Sequence, residues 1–174
     1  HGNGPQVGNI LRRSEIAASE LYPLPLDVCV ADTQAGMGYM IAQSLKNEFS
    51  VRQQSVGVTT IVTTVEVDRQ DPAFDTPTKP IGPRLNAADA LAHQQHDGWD
   101  IVQLDDEVYR RVVACPKPQK IAELPIIRRL VDAGELVICC GGGGIPVTRN
   151  EQGLLEGAAA VIDKDLTTAL LARE

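Results

Sequence analysis

The 174-residue sequence has no apolar run near the ~20 residues that span a bilayer and no signal-peptide pattern. It has no basic block to offset a net charge of −7. Nucleic acid and anionic membranes are therefore not expected as partners, and any anion site must be built from a few local groups. The four cysteines, Cys29, Cys115, Cys139 and Cys140, contain no Cys-x-x-Cys spacing, and the three histidines form no cluster. A zinc site or a disulfide framework is not expected, no residue is assigned to a metal, and the thiols fit a reducing, cytoplasmic setting. The Gly-x-x-x-x-Gly-Lys-Ser/Thr loop, the His-Arg-Asp kinase loop and the Gly-x-Ser-x-Gly elbow are absent too. Ordinary P-loop, protein-kinase and Ser-His-Asp chemistries lose their support with them.

What the sequence does have is Leu136-Val-Ile-Cys-Cys-Gly-Gly-Gly-Gly-Ile-Pro-Val147. A short apolar run ending in four glycines reads as a buried strand feeding a loop. Glycines admit positive φ and remove every Cβ, so a charged group can approach main-chain N–H donors. In open α/β sheets ligands lie off the carboxyl ends of strands, where this loop would sit. A flexible glycine turn is the alternative. Within the run, Cys139 and Cys140 are expected to point to opposite strand faces.

The chain opens on His1-Gly-Asn-Gly-Pro-Gln6, followed by Val7, Ile10, Leu11 and Ile16 at helical spacing. Pro5 suits a first helical turn. Gly2 to Gly4 would lead into it, and a glycine loop at a helix N-terminus is an anion site through its free N–H groups and dipole. An ordinary turn remains the other reading. A helix is expected from Leu26 to Phe49, with Val28, Val30, Ala31, Ala35, Met37, Met40, Ile41 and Leu45 as its apolar set. Met37, Met40 and Tyr39 are read as core. Gly36 and Gly38 suggest close helix packing, within or between subunits.

Ser55 to Val67, rich in Val, Ile and Thr, reads as one strand. Thr76-Pro-Thr-Lys-Pro-Ile-Gly-Pro83 reads as a stiff extended loop that aims Lys79, or holds it in solvent. A helix over Asn86–Gln95 and paired strands over Trp99–Leu104 and Tyr109–Val113 follow, with Asp105-Asp106-Glu107 as a solvated turn. A helix from Leu124 stops at Gly134. Gly153–Gly157 reads as a turn and Ala160-Val-Ile162 as a strand. Asp163-Lys164-Asp165 opens the last helix. Asp163 is a natural N-cap; alternatively both carboxylates hold Lys164 charged and aimed.

The alternation implies an α/β fold, three-layer αβα with a mostly parallel sheet. Two glycine loops and two constrained lysines could converge above it, which is equipment for a multiply charged anion. Phosphoryl transfer asks for little else beyond in-line positioning.

His1-Gly-Asn-Gly-Pro-Gln-Val-Gly8, Pro77-Thr-Lys-Pro-Ile-Gly-Pro83, Cys140-Gly-Gly-Gly-Gly-Ile-Pro-Val147 and Ala160-Val-Ile-Asp-Lys-Asp165 together resemble carbamate kinase, of the amino acid kinase superfamily. The resemblance implies reversible phosphoryl transfer between carbamoyl phosphate and ADP, giving ATP and carbamate with Mg2+, in a cytoplasmic homodimer serving arginine or allantoin catabolism or carbamoyl phosphate supply. By the same resemblance Gly2, Asn3 and Gly4 line the phosphoryl site, and Gly141, Gly142, Gly143 and Gly144 contribute backbone near the substrate. Lys79 reaches the phosphoryl from a covering arm, Lys164 neutralises its charge, and Asp163 and Asp165 orient that lysine. Residues 71–113 would form a lid-like subdomain. Ala114-Cys115 stands where the family usually has Pro-Ser. The family's opening Gly-Gly-Asn strand and nucleotide-binding half are not in the sequence, so both ends look cut. The 174 residues alone are expected to be inactive and to leave an unpaired strand edge at Leu136. Another phosphotransferase of the superfamily, or a non-catalytic fragment, are the alternatives.

Overall fold

The computed structural model describes all of residues 1–174. Two helices open the chain, α1 (Gly4–Ile16) and α2 (Leu26–Val51). They are followed by β1 (Val58–Thr60), β2 (Thr64–Val67), β3 (Lys79–Leu85), α3 (Ala87–Asp97), β4 (Asp100–Asp105) and β5 (Val108–Val113). The remainder comprises β6 (Pro118–Ile121), α4 (Leu124–Asp132), β7 (Leu136–Ile138), β8 (Ile145–Arg149), β9 (Leu155–Gly157) and α5 (Lys164–Arg173).

The α/β expectation holds. β1 pairs parallel with β7, and β2 parallel with β8. Antiparallel β6 and β9 extend the second sheet to the order β6-β2-β8-β9. β1 and β7 have only each other, so each keeps one open side, including the strand at Leu136. Helix α2 packs on β1 and β8, α4 on β7 and α5 on β6. One apolar core joins α1 and α2 to β3 and β5 through Val7, Leu11, Cys29, Val30, Ile81 and Val113. A second gathers Val65, Val67, Ile121, Ile127, Ile162 and Leu170 between β2, β6, α4 and α5. No helix is long and apolar enough to cross a membrane.

The helices start and stop for the reasons their sequences give. Asn86 caps α3 by accepting from the Asp89 N–H at 2.8 Å, and Asp163 caps α5 by accepting from the Asp165 N–H at 2.9 Å. Gly134, at φ 82, terminates the turn after α4.

The strands depart more. The run 55–67 forms two strands in different sheets, because the chain passes from bonding β7 at Ile61 to bonding β8 at Thr63. The buried Gln34 side chain accepts from the Thr63 N–H at 2.8 Å and donates to the Thr63 carbonyl at 3.1 Å. A side chain thus occupies the place of a neighbouring strand. The proline-rich arm is strand β3 and not a loop: it pairs only with β5, in the order β3-β5-β4. Pro80 and Pro83 are tolerated on that edge, where their missing N–H groups break no central ladder. The register shifts between Ile81 and Leu85, around Gly82 at φ 70. β8 and β9 form where only a glycine loop and a turn were expected. Residues 160–162 make one parallel bridge, Ala114 to Ala160, in place of a strand.

On α2 the buried face is Leu26, Cys29, Val30, Thr33, Gln34, Gly38 and Ala42. Tyr39 and Met40 are 62% and 56% exposed, so they are not core. Gly38 is needed within the chain, since a Cβ there would strike Thr60 of β1. Gly36 faces open space.

The antiparallel sheet β3-β5-β4, with α3 against it, stands beside α1. The contact is backbone on backbone: a Cβ at Gly8 of α1 would lie 2.9 Å from the Gly82 Cα. Trp99 is sandwiched between His93, stacked at 3.9 Å, and the Arg111 guanidinium at 4.4 Å, tying α3 to β5.

Replacing Gln34 by Met keeps side-chain volume and leaves the buried Thr63 N–H without a partner, while the Thr63 carbonyl keeps the Ile145 N–H at 2.8 Å. We expect a loss of about 1–3 kcal/mol in urea unfolding, the usual cost of one buried group left unbonded. An unchanged midpoint would mean that the loop finds other partners.

Candidate anion-binding site

Four segments far apart in sequence meet at one cleft of about 220 Å³. Its walls are Gly2, Asn3 and Gly4 from the start of α1, Lys79 from β3, Gly142 from the glycine turn, and Asp163 and Lys164 from the start of α5. Val161 and Ile162 complete the lining. Both lysines expected at one anion site therefore line the same cavity.

Each wall has a local cause. α1 begins at Gly4 with Pro5 in its first turn and has neither a side-chain cap nor an acidic first-turn residue. Its positive end is left uncompensated at the cleft, which favours an anion. Asn3 does not cap the helix, although it stands at that position. It is buried, and its amide donates to Thr33 Oγ1 at 2.6 Å, while Thr33 bonds the Val30 carbonyl at 2.8 Å. Asn3 thus pins the start of α1 to α2. The Lys164 stem passes over Gly2, where a Cβ would sit 3.6 Å from its Cδ and Cε.

Of the four glycines in the turn, Gly142 alone lines the cleft. The turn is a 3-10 helix over Gly141–Gly143 preceded by left-handed Cys140 at φ 53. Gly142, Gly143 and Gly144 have φ of 65, 99 and 92, a region that favours glycine. Their N–H groups are engaged within the chain: Gly142 donates to the His1 carbonyl at 2.8 Å, Gly143 to Cys140 and Gly144 to Gly141, both at 3.1 Å. The glycines therefore serve chiefly as a surface that neighbours can press against. A Cβ at Gly142 would strike the Asn3 carboxamide, and one at Gly143 the Ile162 carbonyl.

The carboxylates divide their work differently from the sequence expectation. Asp165 holds Lys164 at 2.8 Å, but Asp163 holds Lys79 at 3.0 Å instead of Lys164. Asp163 also caps α5, so the cap and ion-pair readings are both realised by one residue. Lys79 donates to Asp163 and holds its carboxyl below the usual carboxylate range, with the Asp165 and Leu166 N–H groups adding to the effect. The Lys164 ammonium is pushed up, chiefly by its hydrogen bond to Asp165. Both lysines stay half-exposed, at 36% and 51%, so an entering anion can exchange with their carboxylates.

Three supporting residues had no assignment from sequence: Gln34, Thr63 and Thr167. Thr63 Oγ1 accepts from the Cys140 N–H at 2.9 Å, and Thr167 Oγ1 donates to the Gly143 carbonyl at 2.8 Å. Their only sequence signal is a polar residue on an otherwise apolar face, Gln34 beside Val30 and Gly38. A larger open hollow of about 830 Å³ lies at the β8–β9 hairpin. Its arginines are committed, Arg149 to Glu66 at 2.7 Å and Arg69 to Glu156 at 3.9 Å, so it has less to offer an anion.

No group of three or more His, Cys, Asp or Glu side chains is arranged to hold a metal ion. The two carboxylates at the cleft are each taken by a lysine. The residues present do not fit a protein-held Mg2+, an ion usually carried in kinases by substrate phosphates with one or two carboxylates.

No protein-family model matches the chain. The whole chain aligns with the carbamate kinase-like protein YahI of Escherichia coli K12, at 52% identity over 178 residues and 56% of that protein. It is 47% identical over 174 residues to the carbamate kinase of the same organism, covering 55% of it. Among solved structures, Giardia lamblia carbamate kinase bound to AMP-PNP superposes with a TM-score of 0.89 at 39% identity, over 99% of this chain and 54% of that one. A protein from Aeropyrum pernix K1 superposes with a TM-score of 0.93 at 37% identity, over 99% and 55%. The chain spans about half the length of the relatives it matches.

Asp163 supplies a pH test of this geometry. Its folded pKa lies below the ordinary value of 3.8, so its contribution to stability is present above that value and is lost as pH falls through the folded one. In Lys79→Met the Asp163 carboxyl carbon should titrate at higher pH by NMR, while the N–H donors of Asp165 and Leu166 keep it below the ordinary value. An unmoved titration would show that the Lys79 pair is not formed in solution.

Proposed function

Because the chain belongs to the carbamate kinase family over its whole length, while spanning about half the length of a member, we propose that it carries the carbamoyl-phosphate half of such an enzyme. The reaction is carbamoyl phosphate plus ADP giving ATP plus carbamate. The observation behind this is that Lys79, Lys164 and the uncapped start of α1 share one cleft.

In this reading the first-turn N–H groups of α1 and the Lys164 ammonium take the oxygens of the transferring phosphoryl group. Asp165 keeps Lys164 charged and directed. Lys79 leaves Asp163 for the phosphoryl as substrate enters, and Asp163 takes it back when product leaves. Phosphoryl transfer needs placement and charge neutralisation more than covalent chemistry, and these groups supply both. Asn3 and Gly142 set the shape of the wall. The segment 71–113, which carries Lys79 on β3, would act as a lid over the cleft.

The nucleotide, ADP or ATP, is proposed by family; the Giardia relative is seen with AMP-PNP. No residue of this chain is assigned to it, and Mg2+ would arrive on its phosphates. We also propose a homodimer through the α2 face that bears exposed Tyr39 and Met40 beside Gly36. A cytoplasmic place rests on the thiol chemistry, and a role in arginine metabolism on the family alone.

Carbamoyl phosphate should bind the chain, seen as a 31P shift on titration, and Lys164→Ala should weaken binding. In a protein that also carries the nucleotide half, Lys164→Ala and Lys79→Ala should each lower ATP formation about 100- to 1000-fold, the usual loss for one preorganised donor. Acetylglutamate or isopentenyl phosphate binding in place of carbamoyl phosphate would redirect the assignment within the superfamily. Light scattering at micromolar concentration should show a dimer that Met40→Glu dissociates; a monomer before mutation would remove the proposed interface.

A further inference from the structure

The last two residues before the glycine turn are Cys139 and Cys140. Side chains of successive strand residues point to opposite faces. Here β7 ends at Ile138, and Cys140 turns left-handed at φ 53 and ψ 32. That reversal lays both cysteines against the same apolar core, with Val65, Ile121 and Ile162. Adjacent in sequence and packed on one core, the two side chains are neighbours. Cys140 is buried and Cys139 half-buried, and neither is in a disulfide. Cys139 is thus the one of the pair that a reagent would meet first, with Cys140 beneath it.

We propose that Cys139 and Cys140 form a redox-active vicinal dithiol, oxidised by small disulfides to a bond between adjacent residues that resets the glycine turn.

The pair titrates as a unit. The first proton leaves Cys139, whose thiolate is held below the usual thiol range by the Cys140 thiol donating to it. The remaining proton on Cys140 is pushed up by that contact and by burial. A lowered, accessible thiolate beside a second thiol is the arrangement that redox-sensitive cysteines share. Cys139 attacks one sulfur of a small disulfide, breaking its S–S bond and releasing one thiolate. Cys140 then gives its proton to that thiolate and attacks the Cys139 sulfur, expelling the second thiolate, which takes a proton from water. Two cysteine thiols are oxidised and one disulfide is reduced to two thiols.

The ring so formed contains ψ of Cys139, the peptide bond and φ of Cys140. Adjacent Cα atoms lie about 3.8 Å apart, below the usual ~4.4–6.8 Å of bridged cysteines. Closing the ring must therefore turn those torsions and strain the bond, making it easy to reduce. Cys140 is where the turn is anchored: its N–H donates to Thr63 Oγ1 at 2.9 Å, and its carbonyl accepts from Gly143 at 3.1 Å. Both bonds are lost or weakened when Cys140 leaves the left-handed region.

The test is to treat the reduced chain with oxidised glutathione and map it by mass spectrometry. The expected product is a peptide containing Cys139 and Cys140 that is lighter by two hydrogens and carries no glutathione, in wild type and in Cys115→Ser alike. Cys140→Ser, which removes the second thiol, should stop at a stable glutathione adduct on Cys139. Persistent adducts on wild-type Cys139, or no reaction there, would overturn the dithiol. Amide exchange at Cys140 and Gly143 should quicken about tenfold or more on oxidation and recover with a monothiol, as for a local opening. Unchanged exchange would overturn the link to the turn.

Discussion

The site depends on one buried side-chain amide. Gln34, in the middle of α2, bonds both backbone groups of Thr63 and so takes the place of a strand edge. The chain can then leave the β1–β7 pair and enter the β2–β8 pair without stranding polar groups, which buried backbone cannot tolerate. Thr63 passes the constraint on. Its hydroxyl fixes the Cys140 N–H, and its carbonyl also receives the Ile145 N–H at 2.8 Å, so both ends of the glycine turn hang from one residue. α2 in turn holds Asn3 through Thr33, and with it the start of α1. A single helix thus places two of the four walls of the cleft by polar contacts alone.

The cleft is nearly neutral in its present state, because each lysine already has a carboxylate. That balance matters in a chain of net charge −7. Two unpaired ammonium groups and an open helix end would attract any anion, and the acidic partners moderate this. A ligand must bring more negative charge, better shaped, than Asp163 and Asp165 present. A phosphoryl group with three oxygens meets that requirement more readily than a carboxylate or a chloride. On the proposed reading the ion pairs would act as competitors that set a threshold for occupancy, while adding little to stability at such exposed positions.

The helices were legible in the sequence, because caps and stops are local: Pro5, Asn86, Gly134 and Asp163 act within a turn of themselves. The motif residues were legible as a set, through the resemblance and through their chemistry, and Lys79 and Lys164 line the same cleft. The strands were less so. Nothing inside Ser55–Val67 reveals that a glutamine at position 34 will divide it, since that information is held in another element. Nor does a proline-rich arm reveal that it is an edge strand until its single partner, β5, is known. The Asp165–Lys164 pair was legible from adjacency, but the pairing of Asp163 with Lys79 was hidden, because its partner lies on another element, β3. Tyr39 and Met40 were misread as core because α2 is apolar on more than one face, and only packing decides which face the sheet takes.

The carbonyl of His1 receives the N–H of Gly142, and Gly4 shares a cleft with Lys164. The parts that meet are thus separated by nearly the whole length of the chain. During synthesis the cleft cannot exist until α5 has emerged and docked, however early α1 and α2 form. Loop closure over such a span is only modestly dearer than over a shorter one, about 0.6 kcal/mol for each doubling, but the cleft must wait for every element between its walls. On the proposed reading, an anion that fills it is a clasp between α1 and α5, and its occupancy reports that the elements from Gly4 to Arg173 have come together.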